Sequence, residues 1–433
     1  MNKENKRNFN YLISASAFSN LADGIAGFAY PWLFSLITRD AQLIALITVF
    51  STLPHLIFVL FAGVIADKYN RKKILIFTRI IQITLTGLFI FVIVLNLDQI
   101  PKSVQLIEPE FQAKFFIITI SYLLAFTFGI LEVTRDNAAQ SFLPQIVEKD
   151  FLSKANGRLF GVELVTNNFL GAPIAGLLIG ISLYTPFIAD TVLLIISTFF
   201  ISNISGNFER PVDNKKSEKT LDLIKEGISW LKKQVLLKRL AIYTGLANFF
   251  GAMQFPIMVL FAQEILELNS VQYAFLAYGA AIGGLLGSTL ANKINEVLEE
   301  SKTLILAMFL FSLGMFLPYL TTNPFIVALA FATTSFGSIV WNVQAVSIRQ
   351  SIIPDNLLGR VNSVYRLLAL GLTPLGSLFG GTIVKYSEIY FDRVFSLRLP
   401  FLLAGIAMTF IFMTSFKLLS QDLINSTKTN PRS

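Results

Sequence analysis

The sequence predicts an all-α membrane protein: twelve transmembrane helices in two six-helix halves. Three observations carry this prediction. The composition is too apolar for a water-facing surface, twelve segments are long and apolar enough to cross a bilayer, and one order of motifs occurs twice. Of the 433 residues, 54% are hydrophobic and only 14% charged, with a mean hydropathy of +0.64. So little charge cannot cover a soluble protein of this size, so apolar side chains, 41 Phe among them, must face lipid. The absence of Cys excludes a disulfide framework, a thiolate metal site and a cysteine nucleophile. The single histidine, His55, lies in an apolar run and reads as a packed polar residue rather than a ligand or base.

A bilayer core takes about 20 apolar residues per helix. On that measure the spans fall at 11–36, 42–66, 74–95, 113–142, 157–182, 186–206, 239–266, 271–292, 303–320, 324–349, 361–386 and 398–418. The first follows a basic, polar stretch. It is too long for a signal-peptide core and no small-residue cleavage site follows, so it reads as an uncleaved membrane helix. Short turns at Tyr184–Pro186 and Asn323–Pro324 join spans five to six and nine to ten.

Charge placement sets the expected orientation. With the N-terminus inside, the outer side holds six of the 35 Lys and Arg residues: Arg39, Lys102, Lys114, Lys385, Arg393 and Arg398. All the others lie in cytoplasmic segments or adjoining helix ends, a positive-inside asymmetry that requires an even helix count and two cytoplasmic termini. It accounts for the net charge of +8 as topological anchoring at an anionic leaflet, without nucleic acid.

The longest polar connection, Gly206 to Leu240, divides the chain into a first half at 1–206, a linker at 207–238 and a second half with a short cytoplasmic tail at 239–433. Within the linker, Leu221, Ile224, Ile228, Leu231 and Val235 recur at spacings of three and four, with Lys225, Glu226, Lys232 and Lys233 largely opposite. This is an amphipathic helix, lying either along the membrane surface with Trp230 at headgroup level or packed on the helical halves. The halves resemble one another. Gln140–Pro144, Leu152–Asn156 and Leu170–Gly176 in the first match Arg349–Pro354, Leu358–Asn362 and Leu375–Gly381 in the second, in order and approximate spacing. Six helices plus six about a cytoplasmic linker is the repeat layout of secondary transporters.

Between spans two and three the chain reads Gly63-Val-Ile-Ala-Asp67-Lys68-Tyr-Asn-Arg71-Lys72-Lys73. This resembles the cytoplasmic signature of the major facilitator superfamily, with Asn70 where that family usually has Gly and the tight turn would need left-handed tolerance. The resemblance implies an electrostatic latch. Gly63 would admit a neighbouring helix, and Asp67 would meet the N-terminus of span eleven near Arg360-Val-Asn362. Arg71 would pair with an acid of the cluster Glu132, Arg135 and Asp136 at the inner end of span four, with Lys68 and Lys72 as the basic flank. A plain positive-inside anchor explains Arg71, Lys72 and Lys73 but not Gly63 and Asp67. The echo in the second half, Gly287-Ser-Thr-Leu-Ala-Asn292, lacks the acid, so the latch would be one-sided.

Gly171-Ala-Pro173-Ile-Ala-Gly176 resembles the glycine-proline motif of antiporters in that superfamily, with departures at Ala172 and Leu177; tight packing explains it equally well. Gly279, Gly283 and Gly287 read as small-residue packing alone. Over nearly the whole chain the sequence resembles the drug–proton antiporter branch that contains macrolide and enterobactin exporters, most specifically from Arg349 through Arg366 and at Pro374-Leu-Gly376. That resemblance implies alternating access in a bacterial inner membrane, proton-coupled export of a small amphipathic substrate, no cofactor and a monomer. An uptake carrier or uncoupled facilitator of the same fold is the alternative. No Walker A pattern, nucleophile–base pair or metal cluster is visible, which argues against ATP drive and against an enzyme.

An ionisable group inside a bilayer is costly, so each is a site candidate. Asp23, with Asn20 beside it, lies near the middle of span one and is the expected proton-coupling or substrate-contact acid. The resemblance has spans one, four, seven and ten line the cavity. Further candidates are therefore Asn248 and Gln254 in span seven and Trp341, Asn342 and Gln344 in span ten, though Trp341 could equally be packing. Glu163 and Asp190 read as interface-reaching acids, and Glu264 as the outer end of span seven.

Overall fold

The computed structural model describes residues 3–101, 103–104, 107–206, 208 and 220–429. Its description excludes the side chains of Leu60, Val64, Asp67, Lys68, Lys149, residues 220–224, Asp355, Asn356, Leu358, Gly359 and Ser363. The described residues form helices joined by turns and loops, with no strand among them. In order the helices are α1 (Lys3–Ile37), α2 (Ala41–Ile57), α3 (Val59–Lys68), α4 (Arg71–Leu95), α5 (Lys114–Ile146), α6 (Leu152–Glu163), α7 (Ala172–Ile181) and α8 (Thr185–Ser202). There follow α9 (Thr220–Lys233), α10 (Val235–Gln254), α11 (Met258–Glu264), α12 (Ser270–Val297), α13 (Glu300–Leu320), α14 (Pro324–Ile352), α15 (Asp355–Leu370), α16 (Thr373–Ser387), α17 (Arg393–Leu418) and α18 (Gln421–Thr429). Ten helical runs are long and apolar enough to cross a membrane, counting α6–α7, α10–α11 and α15–α16 as continuous. The polar residues of α1 and the break between α2 and α3 keep the first two expected spans outside that set; with them the expected twelve are present.

Four spans are interrupted, and each break sits by a proline. Span two breaks at Phe58, four residues after Pro54. Span five holds a π-helical segment, Leu164–Gly171, just before Pro173. Span seven tightens into a 3₁₀ turn at Phe255–Ile257 around Pro256, and span eleven breaks before Pro374. Proline lacks the N–H that would close the preceding turn, so the chain there must widen, tighten or stop. A few helix starts carry side-chain caps. Asp40 accepts from Gln42 and Leu43 N–H at 2.8 and 3.1 Å, and Asp392 accepts from Phe395 N–H at 2.8 Å. Asn70 is a third cap: at φ −60° it is not left-handed, and its side chain accepts from Lys73 N–H at 3.3 Å. The position needs a side-chain acceptor rather than glycine's freedom.

The chain forms two compact units. One comprises Met1–Asp213 with Ala262–Phe275, the other Asn214–Phe261 with Leu276–Ser433. In the first, α1 packs on α8 and on the π segment. A Cβ built on Gly171 would stand 2.6 Å from Gly24 Cα, and one on Gly24 2.6 Å from Asn167 O, so the crossing requires glycine on both sides. Segment 262–275 seats against this unit: a Cβ on Gly176 would meet Ser270 O at 2.8 Å, and Tyr273 lies on Phe28 with ring centroids 5.0 Å apart.

In the second unit α13 packs between α14 and α17, and α12 lies against α14. Cβ atoms on Gly279 and Gly283 would each stand 2.0 Å from the Ala328 and Ala332 carbonyl oxygens, the close backbone approach expected of that glycine run. Gly376 approaches Phe249 O in the same way, and Pro374 starts α16. The linker helix α9 belongs to this unit and packs on α15, resolving the two readings of its apolar face. Leu231 is buried with Leu236, Val361 and Val364, Gly227 lies against Arg360 O, and Glu226 pairs with Arg360.

Gly283→Leu forces a side chain into the Ala332 backbone, where overpacking costs about 1–3 kcal/mol. The expected outcome is a lower melting temperature in detergent, read by fluorescence-detected size exclusion after heating. Gly63→Leu, at a position where a Cβ meets nothing within 4 Å among the described residues, should melt as the wild type.

Candidate functional site

Three helices of the first unit present a polar column to one another. The spacings place Ser19, Asp23 and Tyr30 on one face of α1, Arg79, Gln82 and Thr86 on one face of α4, and Asp190 on α8. From α5, Arg135 joins the inner end. Asp23 presents its two carboxylate oxygens to two different cations: Oδ1 is 3.7 Å from Arg79 Nη1 and Oδ2 is 3.6 Å from Arg135 Nη2. Gln82 Oε1 accepts from both guanidiniums, at 2.9 Å from Arg79 and 3.4 Å from Arg135, and Arg79 Nη2 also donates to Ser19 Oγ. Arg135 Nε faces Asp136 Oδ1 at 3.7 Å. The exposure is graded. The Asp23 side chain is 29% exposed and that of Arg135 14%, whereas Arg79 is sealed at 3%.

Glu132 and Asp136 are half exposed and lie on the open side of this network. His55 Nε2 stands 3.9 Å from Glu132 Oε2, so the lone histidine has an acidic neighbour from α5. Asn20 turns away from Asp23 and donates to Ser16 O and Oγ on its own helix, at 2.9 and 3.0 Å.

Several expectations for the cytoplasmic loop are corrected. Arg71 does not pair with Glu132 or Asp136; its Nε donates to Ser141 Oγ at 2.8 Å. Arg71 opens α4, and Ser141 lies more than a turn nearer the end of α5 than Asp136, which is already engaged by Arg135. Lys72 caps a neighbouring helix instead of flanking a latch, donating to Ser202 O and Ile204 O at 2.7 and 2.8 Å at the end of α8, where the helix dipole favours a cation. A Cβ built on Gly63 would meet nothing within 4 Å among the described residues, so no close helix approach relies on it there. Arg360 lies five residues inside α15, which starts at Asp355, and pairs with Glu226 of the linker helix. The side chains of Asp67 and Lys68 lie outside the described residues.

The candidates in the second unit serve packing more than a cavity. Trp341 is buried, stacks on Tyr243 and donates from Nε1 to Thr244 Oγ1 at 2.9 Å. Asn248 donates to Ala369 O at 2.8 Å and Gln254 to Met315 O at 2.9 Å, each tying one helix to the next. Gln344 is buried and Asn342 exposed.

The sequence reading missed Arg79, Gln82 and Ser19 and misplaced Asp190, which is 2% exposed in the interior and reaches no interface. The signal for Arg79 was present: it lies eight residues beyond Arg71 in an apolar run, where the rule applied to Asp23 holds equally. Counting it as a topological anchor hid it.

A second charged cluster sits at the C-terminal end of α1 in the same unit. Arg39 donates from Nη1 to Gln263 Oε1 at 2.6 Å and to Ser35 O at 3.0 Å, and from Nη2 to Glu264. Both side chains of the Arg39–Glu264 pair are about 95% buried. Glu108 gathers the flank, accepting from Arg39 N–H, Thr38 Oγ1 and Lys114 Nζ at 2.6, 2.7 and 2.6 Å.

Comparison with known proteins agrees with this architecture. The sequence profile described as Major Facilitator Superfamily matches residues 12–373. The multidrug efflux pump Tap of Mycolicibacterium fortuitum is 22% identical over 420 residues, covering 92% of this chain and 94% of that protein. The enterobactin exporter EntS of Salmonella choleraesuis (strain SC-B67) is 24% identical over 382 residues, covering 86% and 85%. Among solved structures, a bacterial homologue of the iron transporter ferroportin in its inward-facing state superposes with a TM-score of 0.71 at 14% identity, covering 96% of this chain and 99% of that one. The nucleoside transporter NupG does so with a TM-score of 0.66 at 13% identity, covering 96% and 100%. At such identities these two show the shared fold.

Removing one partner of a buried ion pair strands the other, at a cost of about 3–5 kcal/mol. Glu264→Gln and Arg39→Gln are therefore each expected to lower the melting temperature of the purified protein by several degrees. Arg39→Met with Glu264→Met should lose less than either single change; a double variant that loses the sum would contradict the pairing.

Proposed function

Because the chain belongs to the Major Facilitator Superfamily, and is thus a multi-pass membrane transporter rather than an enzyme, we propose that it exports a small amphipathic compound, drug-like or siderophore, in exchange for protons. The observation that carries this reading is the Asp23 carboxylate, held between Arg79 and Arg135 and still partly open to solvent. One proton on that carboxylate removes the charge that two guanidiniums share, so a single binding event loosens α1 from α4 and α5 together. A group that joins three helices and can be reached from water is suited to link protonation to a change of state. The names of Tap and EntS, an efflux pump and an exporter, support the outward direction.

The same reading puts the protein in a bacterial inner membrane with both termini inside, as a monomer without cofactor. Gly63, Asp67 and Arg71 retain their proposed place in a cytoplasmic gate, with Arg71 anchoring α4 to α5 through Ser141. Glu132 and Asp136, half exposed beside Arg135, give the approach to Asp23 an acidic edge that favours cationic or hydrogen-bonding substrates. Gly171 holds the α1 crossing, Pro173 follows the π segment and Gly176 admits the Ser270 backbone, so the contribution of Gly171 and Pro173 to antiport is to fix how α1 carries Asp23.

Asp23→Asn should abolish export driven by a pH gradient, a loss of more than about tenfold in initial rate, about 1.4 kcal/mol or more, while retaining substrate exchange at equal pH. The measurement is uptake of ethidium, a macrolide and a catecholate siderophore by everted vesicles with and without an imposed gradient. Full-rate gradient-driven uptake by the variant would sink the coupling role of Asp23.

A further inference from the structure

Asp190 is a second intramembrane carboxyl of the same column, and its surroundings differ from those of Asp23 in kind. It is 2% exposed, and its Oδ1 is buried with no hydrogen-bond partner among the described residues. Two hydroxyls of the column are also buried, Tyr30 Oη from α1 and Thr86 Oγ1 from α4, with no close partner among the described residues beyond each other. Aromatic rings pack one turn away, around Phe187 of the same helix as Asp190. Tyr30, Phe89 and Phe187 pack together with centroids 4.8 to 5.5 Å apart. Arg79 lies within electrostatic reach of both Asp190 and Asp23. The charged and titratable groups within electrostatic reach of Asp190 are thus Tyr30 and Asp23 from α1, Arg79 from α4 and Arg135 from α5; α7 contributes no titratable residue.

A buried ionised carboxylate with an unsatisfied oxygen is strongly disfavoured, whereas a neutral acid there is tolerable. We propose that Asp190 binds the coupled proton, and that Arg79 exchanges its pairing from Asp23 to Asp190 when that proton moves to Asp23. This deepens the proton-coupled reading above and rests on it. The step balances: the Asp190 O–H bond breaks, an O–H bond forms on Asp23, and the guanidinium follows the negative charge in the opposite direction. The net charge of the cluster is unchanged, so no bare charge is left in the apolar interior at either end. Tyr30 and Thr86 supply the hydroxyls that solvate Asp190 when it is ionised. Asp23 is then the wet terminal, where the proton meets solvent, and Asp190 the dry one, where it is held through the conformational change.

The test needs protons alone. Infrared pH-difference spectra of the full chain in lipid, with no substrate added, are expected to show the carbonyl stretch of a protonated carboxylic acid. Asp190→Asn is expected to lose that band and to melt at the wild-type temperature, because an amide replaces a neutral acid of the same shape. Asp190→Glu should retain the band at a shifted position. Asp23→Asn should weaken it, since Arg79 then has only Asp190 to pair with, and adding Arg79→Gln to Asp23→Asn should restore it. A band untouched by Asp190→Asn overturns the proton site, and a band indifferent to Asp23→Asn overturns the exchange of Arg79. Neither result depends on gradient-driven transport, so failure of this assignment is distinguishable from failure of the export reading.

Discussion

A charge inside a bilayer must be answered by another charge or by water, and the first unit is arranged around that requirement. Arg79 lies where hydrocarbon would otherwise surround it, and its guanidinium draws Ser19 and Asp23 of α1 and Gln82 of its own helix to within reach. Those demands fix how far α1 stands from α4. Arg135 meets the other oxygen of Asp23, and so places α5. The packing that surrounds the network then follows: the glycine crossing of α1 with the π segment allows α1 to lie close enough for Asp23 to serve both cations. The interaction is one to be switched more than one that stabilises, because a carboxylate shared by two partners cannot satisfy both fully at 3.6 and 3.7 Å.

The prolines do complementary work. Each of the four breaks removes a backbone hydrogen bond inside a span, a cost tolerated in a membrane only where neighbouring groups take up the freed carbonyl. Pro54 packs its ring on Gly129 of α5 next to the helix break, so the bend and the contact are one feature. In the second unit the bonds from Asn248 and Gln254 to main-chain carbonyls tie α10 to α15 and α13 just before Pro256 interrupts the span.

The fold was readable in the sequence because its determinants are local sums: span length, hydropathy and the distribution of Lys and Arg. The twelve spans and the glycine stripe of α12 follow from such sums. The site was only partly readable. Asp23 stood out as an acid in an apolar run, and Arg135 as part of a charged cluster, but pairing depends on which faces meet. Nothing along the chain indicates that Arg79 of α4 and Asp23 of α1, 56 positions apart, lie at one depth. Polar residues in spans seven and ten looked like a cavity lining because amides in a membrane suggest function. Their bonds to backbone carbonyls of neighbouring helices show that they equally satisfy the rule that no polar group stay unpaired. Motif letters misled where geometry had another use for the same residue, as with Lys72 at the end of α8 and Asn70 at the start of α4.

The π segment before Pro173 carries a consequence of its own. A π turn is a dislocation in a helical lattice: one residue more than the α-helix needs is stored in the span, held there by a proline that cannot close the regular ladder. Releasing that extra residue, so that the π turn closes to an α turn, turns everything beyond it by about 100° about the axis, since an α-helix completes a turn in 3.6 residues. The residues that follow, with Gly176 against Ser270, would then exchange one set of neighbours for another without any helix unfolding. A span built in this way can rotate its outer portion while its inner portion stays engaged, as a screw thread advances past a fixed pin.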